Sequence, residues 1–241
     1  MPVEMECKAL LMERGIGCRP LEPGNPASLT TGRTLDHVAG VYDTLEPLMM
    51  FGLDRVCRRE VLALLGLRGD ERVLDVGCGT GTLTRELAAE LADKRKSCAV
   101  GVDAAAAMIR MACSKAAGLP NIAFAPALAE RLPFDDRSFD YAVSTMFFHH
   151  IDAGLKLKAL DEIWRTLVPG GKAVVVDITT PTNLFGSLCV WSGYILFRQA
   201  EIRENIEGRL EEAFAKSKFG GATLMTRHAG YIAMYQLVKQ S

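Results

Sequence analysis

From residue 71 onward the chain alternates between short, almost wholly apolar runs and longer stretches whose apolar residues recur at helical spacing. The runs are RVLDVG (72–77), CAVGVD (98–103), NIAFAP (121–126), FDYAVSTM (139–146) and GKAVVVDI (171–178). Between them the spacing predicts helices over 82–92, 105–117 and 155–167, the second closed by Gly118 and Pro120. Strands that are apolar at successive positions have both faces buried, which is the condition of a parallel sheet covered by helices on either side. The final stretch, ATLMTRHAGYIAMYQLVK, reads as two strands joined at Ala229-Gly230, a connection short enough only for antiparallel neighbours. The expected fold is a doubly wound α/β domain, a seven-stranded, mostly parallel sheet ending in an antiparallel hairpin.

The first seventy residues differ from this core. Residues 1–34 hold a stretch with three prolines and four glycines and form a poorly defined arm. Residues 35–70 read as a helical cap broken at Pro47, with Val56, Val61, Leu62 and Leu65 on its apolar face. The core then runs over 71–241, with an insertion at 179–221. Residues 178–197 carry no charge, but Pro181 and the polar residues around it leave the apolar part too short to span a bilayer. Leu184, Phe185, Leu188, Trp191 and Tyr194 recur at roughly helical spacing, and a buried core face and a face for an apolar ligand or a membrane surface explain them equally well. Residues 202–218, rich in Arg, Lys and Glu, read as one solvated helix beside it.

A formal net charge of −1 gives no electrostatic footprint for nucleic acid. Seven cysteines without a C-x-x-C pair, and no His/Cys cluster, indicate a reducing compartment and no metal site. The acidic N-terminus MPVEMECKALL lacks the basic region and apolar core of a secretory signal, so the expected location is cytoplasmic.

The candidate chemistry centres on VLDVGCGTGTL. Gly77, Gly79 and Gly81 form G-x-G-x-G between a strand and a helix, a turn that lets a ligand lie against bare backbone, with Asp75 two places before it. The dinucleotide fingerprint would need glycine where Thr82 stands, and the Gly-Lys-Ser/Thr of a phosphate loop is absent. Asp103 ends the second strand about twenty residues on, where an acidic side chain can accept both hydroxyls of a ribose.

Together with VGVD, LPFDDRSFD, the His149-His150 pair and EIWRTLVPGGKAVVVD, this stretch resembles the class I S-adenosylmethionine-dependent methyltransferases, in particular the ubiquinone and menaquinone biosynthesis (UbiE-like) group. The resemblance covers about residues 36–178 and 222–239 and implies S-adenosylmethionine as cofactor and a small, apolar methyl acceptor such as a quinone precursor or a lipid. It implies cofactor contacts from Asp75, Gly77, Gly79, Gly81, Asp103, Ala129 and Ser144. Where the family places an acidic residue toward adenine this chain has Leu128, leaving apolar packing and the Ala129 N–H. His150 and Tyr42, which with Asp43 matches the family's Tyr-Asp pair, are the implied groups at the methyl end. His149 is as readily read as a residue that bonds backbone. A second function class stays open, a protein that binds the cofactor without methylating and acts as an accessory or regulatory subunit; Leu128 and the N-terminal arm motivate it. An arsenite methyltransferase would need three converging cysteines, of which the spacing gives no sign.

Overall fold

The computed structural model describes residues 52–92, 96–197 and 199–240. Its frame is β1 (Arg72–Val76), paired in parallel on one side with β2 (Cys98–Asp103) and on the other with β4 (Phe139–Thr145). β3 (Ile122–Pro126) extends the sheet beyond β2, and β5 (Leu167–Ile178) lies beyond β4, both in parallel. β7 (Ile232–Val238) pairs antiparallel with β5 and with the edge strand β6 (Thr223–His228), giving the order β3-β2-β1-β4-β5-β7-β6. The order reverses between β1 and β4, and at such a switch point the carboxyl ends of neighbouring strands splay to leave a crevice.

Side-chain alternation along β1 divides the core. Leu74 and Val76 join Phe134, Phe139, Phe148, Leu160 and Ile163 on one face, where α4 (Ala153–Thr166) and α7 (Arg209–Lys216) pack. Val73 faces the opposite side with Val143, Val174 and Val176. There it meets Leu83 and Leu87 of α2 (Thr82–Glu90), Val61 of α1 (Leu53–Leu65), Val190 of α5 (Leu184–Phe197) and Ile202 of α6 (Ala200–Ile206). α3 (Ala106–Lys115) covers β3 through Ile109 and Ala112 against Phe124. Burial on both faces is why these strands carry no polar alternation.

Three expectations need correction. The buried face of α1 is Asp54, Cys57, Val61 and Leu65, whereas Val56 is 41% exposed. Asp54 tolerates that position because Arg58, one turn on, donates to it at 2.9 Å. The segment 202–218 is two helices, not one: Gly208, at φ 85°, ends α6 and starts α7. Nor is it simply solvated, since Ile202, Ile206, Leu210 and Phe214 are buried. β5 begins at Leu167, four residues before the apolar run: Leu167 pairs with Phe139 of β4, and Gly170 and Gly171 exchange backbone hydrogen bonds with Lys239 beyond β7.

The loop 132–136 is held to α4 by Arg165. Its Nε and Nη2 donate to the Glu162 carboxylate at 2.8 Å, and Nη1 donates to Phe134 O at 2.7 Å and to Asp136 at 2.8 Å. Leu132 N–H returns a bond to Glu162 at 2.9 Å. This ties down the LPFDD stretch and so places residues 127–131, which bridge Leu128 to Arg131, beside the ends of β1 and β2.

Candidate functional site

β1 ends at Val76, and the chain turns through Gly77, Gly79 and Gly81 into α2 with φ of 75°, 53° and 76°. Positive φ at all three makes glycine the residue the turn can use without strain. Gly77 and Cys78 both donate to Val102 O, at 2.9 and 3.0 Å, which fixes the turn against β2. A Cβ on Gly77 would sit 2.5 Å from the ring of Phe147, so this glycine also admits an aromatic side chain from beyond β4.

Asp103 stands at the end of β2 with one carboxylate oxygen accepting the Gly79 N–H at 3.0 Å and the other accepting the Ala105 N–H at 2.8 Å. These bonds hold the glycine turn and the start of α3 to one carboxylate. Asp75 is placed differently. It is 1% exposed, its Oδ2 accepts the Thr84 hydroxyl at 2.6 Å, and its Oδ1 is buried with no partner. Burial pushes its carboxyl up to about 7; the Thr84 bond opposes the shift and the charge of Asp103 adds to it. Asp75 thus braces the turn to α2 from beneath and lines neither crevice described below. Ser144 is likewise turned inward: it is 1% exposed and its hydroxyl donates to Val76 O at 2.8 Å, stitching β4 to β1.

Two crevices meet at Gly77. The first, about 330 Å³ including its mouth, is walled by Val102, Asp103, Ala104, Leu128, Ala129, Glu130, Phe147 and Ile151. Its lining is apolar except for two carboxylates, and no Lys or Arg among the described residues reaches it. The second, about 520 Å³ including its mouth, lies between the first turns of α1 and the glycine turn, with Asp54, Cys57 and Arg58 facing Cys78, Gly79 and Thr80. Thr145, Met146 and Val176 form its floor. Met146 has φ 54° with its N–H on Val176 O at 2.8 Å, a left-handed conformation imposed at the very end of β4. Burial pushes the Cys57 thiol up to about 11, which keeps it a neutral apolar neighbour there.

After Met146 comes a 3₁₀ turn, Phe148–His150, organised by Asp177 at the end of β5. Asp177, fully buried, accepts the N–H of Phe148 at 2.6 Å and of Ile178 at 2.7 Å, and pairs with His149 Nδ1 at 2.7 Å. The carboxylate fixes the His149 proton on Nδ1 and locks a ring that is 6% exposed. His149 is a structural member of the turn, and it packs against the partly exposed His150 with ring centroids 4.0 Å apart and ring planes tilted by 44°. Neither histidine is among the residues lining the two crevices. Tyr42 and Asp43, with the rest of cap residues 35–51, lie outside the described residues.

Residues 73–171 match the family model described as a methyltransferase domain. This segment is a methyltransferase domain. Beyond it, the chain is 37% identical over 150 residues to a ubiquinone/menaquinone biosynthesis C-methyltransferase, UbiE, of Geobacter sp. strain M21, covering 60% of the chain and 61% of that protein. A demethylmenaquinone methyltransferase of Beutenbergia cavernae is 35% identical over 146 residues, 61% of the chain and 57% of that protein. The chain therefore spans about three fifths of the length of the curated relatives it matches. A crystal structure of a SAM-dependent methyltransferase from Aquifex aeolicus aligns with TM-score 0.60 at 19% identity, over 86% of this chain and all of that one. The described residues thus have the class I, Rossmann-like fold with the antiparallel end expected from the tail.

Of the site residues expected from sequence, the fold brings Gly77, Asp103, Leu128 and Ala129 to the first crevice and Gly77 and Gly79 to the second. Gly81 supports the turn from behind, packed against Phe124. Sequence reasoning missed Phe147, Ile151 and Glu130 on the first wall and Asp54 and Arg58 on the second. The one available signal was Asp54, an acidic residue at a position of α1 that the helical period assigns to the inner face.

Proposed function

We propose that the methyltransferase domain binds S-adenosylmethionine across the two crevices and transfers its methyl group to a small apolar acceptor of the quinone-precursor or lipid type. The observation that carries this reading is the carboxylate of Asp103 at the rim of an apolar crevice that no cationic side chain among the described residues lines, directly beside the glycine turn. That donor set fits an uncharged nucleoside and disfavours a phosphate, which would call for Lys or Arg. The second crevice, with a carboxylate, a guanidinium and bare glycine backbone, fits the charged remainder of the molecule. The cofactor supplies an electrophilic methyl on a sulfonium.

On this reading Asp103 accepts the ribose hydroxyls, and Leu128, Ala129 and Ile151 pack the purine. Glu130, on the same wall, offers a carboxylate for the adenine amino group in place of the acidic residue that Leu128 replaces. The domain's work in an in-line methyl transfer is alignment and exclusion of water. An acceptor that loses a proton also needs a base within reach, and His150, the partly exposed member of the histidine pair, is the proposed one, with Tyr42 a second candidate.

The acceptor's apolar character rests on α5. Leu184, Leu188, Trp191 and Ile195 form an exposed stripe at helical spacing, Leu184 being 87% and Ile195 70% exposed, while Val190 on the other side is buried near Val176. A helix apolar on both faces, with one face open, suits contact with a lipid surface from which such an acceptor is drawn. No helix among the described residues is long and apolar enough to cross a membrane.

Incubation with methyl-labelled S-adenosylmethionine and a lipid extract, followed by counting the organic phase, tests the reaction. Label in that phase is the expected result and should disappear with Asp103→Ala. Cofactor binding by calorimetry without transfer to any acceptor class would instead support the non-methylating reading.

A further inference from the structure

α1 is one wall of the second crevice, through Asp54, Cys57 and Arg58. Beyond its apolar face, its side chains reach neighbouring elements in two directions. Arg58 Nε donates to both oxygens of Glu86 on α2 at 3.1 Å. Glu60, two residues on and so on the other side of the helix, reaches the edge strand β6. Its Oε2 accepts the Thr226 hydroxyl at 3.0 Å and pairs with His228 Nε2 at 2.8 Å, joining positions 168 residues apart. The Glu60 and His228 side chains are 34% and 20% exposed, open enough to exchange a proton with water and covered enough that the pair is not fully screened.

The charge of such a pair changes near neutral pH because one member is a histidine. Burial raises the Glu60 carboxyl, but the bonds from His228 and Thr226 outweigh it and hold it below the usual carboxylate range, so it stays ionised. Among the described residues no other charged side chain bonds to the His228 ring. Arg227 is turned to Thr179 Oγ1, at 2.6 Å, and to Thr180 O, at 3.1 Å. Tyr231, just before β7, meets His228 only through backbone, donating its N–H to the His228 carbonyl at 3.0 Å. α5, whose Gly186 packs on Ala229 O, carries no charge. In acid the imidazolium and the Glu60 carboxylate attract as full charges; as pH rises the imidazole becomes neutral and only a hydrogen bond is left. We propose that Glu60 and His228 form a pH-sensitive clasp, which holds α1 to the edge of the sheet in acid and loosens this wall of the second crevice as pH rises. Its effect on ligand affinity rests on the proposed binding of S-adenosylmethionine; its hold on α1 does not.

The test is amide hydrogen exchange of Leu53–Leu65, referred to the intrinsic rate at each pH, alongside calorimetric binding of S-adenosylhomocysteine, at pH 6 and pH 8.5. His228→Gln keeps a donor toward Glu60 without titrating, and Glu60→Gln keeps an acceptor for Thr226 without the charge. Asp75, pushed up to about 7, titrates over the same interval in all three proteins and cancels from their ratios. Protection of α1 in wild type relative to either variant should fall about threefold from pH 6 to pH 8.5, the scale of one partly exposed ion pair, and relative S-adenosylhomocysteine affinity should fall in parallel. A protection ratio constant within about 1.3-fold overturns the clasp. A constant affinity ratio overturns its control of the crevice and leaves the proposed function standing. Should one variant fail to fold, the other decides. Folded wild type that binds no S-adenosylhomocysteine at either pH overturns the proposed function, while the exchange ratio still decides the clasp.

Discussion

Asp75→Asn should change the pH dependence of stability in a defined direction. The Asp75 carboxyl is pushed up from 3.8 to about 7 by complete burial, with only the Thr84 hydroxyl bonded to it. Between those values the native state holds a proton that the unfolded chain has released. Protons bound by the native state stabilise it as pH falls, so this group's contribution is fully present below about pH 4 and is lost as pH rises through about 7. At about 1.4 kcal/mol per unit, the swing is about 4 kcal/mol, an upper figure because any relaxation around the carboxylate reduces it. Asparagine keeps the shape and an acceptor for Thr84 but does not titrate. Urea denaturation of both proteins at pH 5 and pH 8 isolates the term, because carboxylates with lowered values, such as Glu60 and Glu71, contribute equally to both proteins. The stability of Asp75→Asn relative to wild type should rise by about 2 to 3 kcal/mol from pH 5 to pH 8, the part of that swing which falls between these two values. A difference constant within about 1 kcal/mol would refute the claim that Asp75 is a desolvated brace beneath the turn.

Three further outcomes follow from other parts of the molecule. Gly77→Ala places a methyl 2.5 Å from the Phe147 ring at a φ of 75°, and should cost about 2 kcal/mol or more in denaturant melts and abolish calorimetric cofactor binding. Arg165→Leu leaves the Glu162 carboxylate without its guanidinium partner and unties the 132–136 loop, with an expected loss of about 3 kcal/mol. Replacing Leu188 and Ile195 with Glu should sharply reduce cosedimentation with phospholipid vesicles while leaving the melting temperature unchanged, since both side chains are about 70% exposed. Unaltered cosedimentation would exclude α5 as the contact.

The sequence by itself determined the sheet, because a strand buried on both faces must be apolar at every position and the hairpin turn Ala229-Gly230 permits only antiparallel neighbours. It also located the glycine turn and Asp103, since positive φ and the spacing from β1 to the end of β2 are local properties of the chain. What only the tertiary structure decided are matters of side-chain direction. Asp75 and Asp103 are both acidic residues near strand ends, but one points under the turn to Thr84 and the other lines the crevice beside it. His149 and His150 are adjacent in sequence, and Asp177, twenty-eight residues away, selects which of them is locked. The same holds for Asp54, an acidic residue on the inner face of its helix, whose unpaired buried oxygen only the folded chain reveals. Periodicity records which positions face inward; the other elements packed there determine what each of those positions meets.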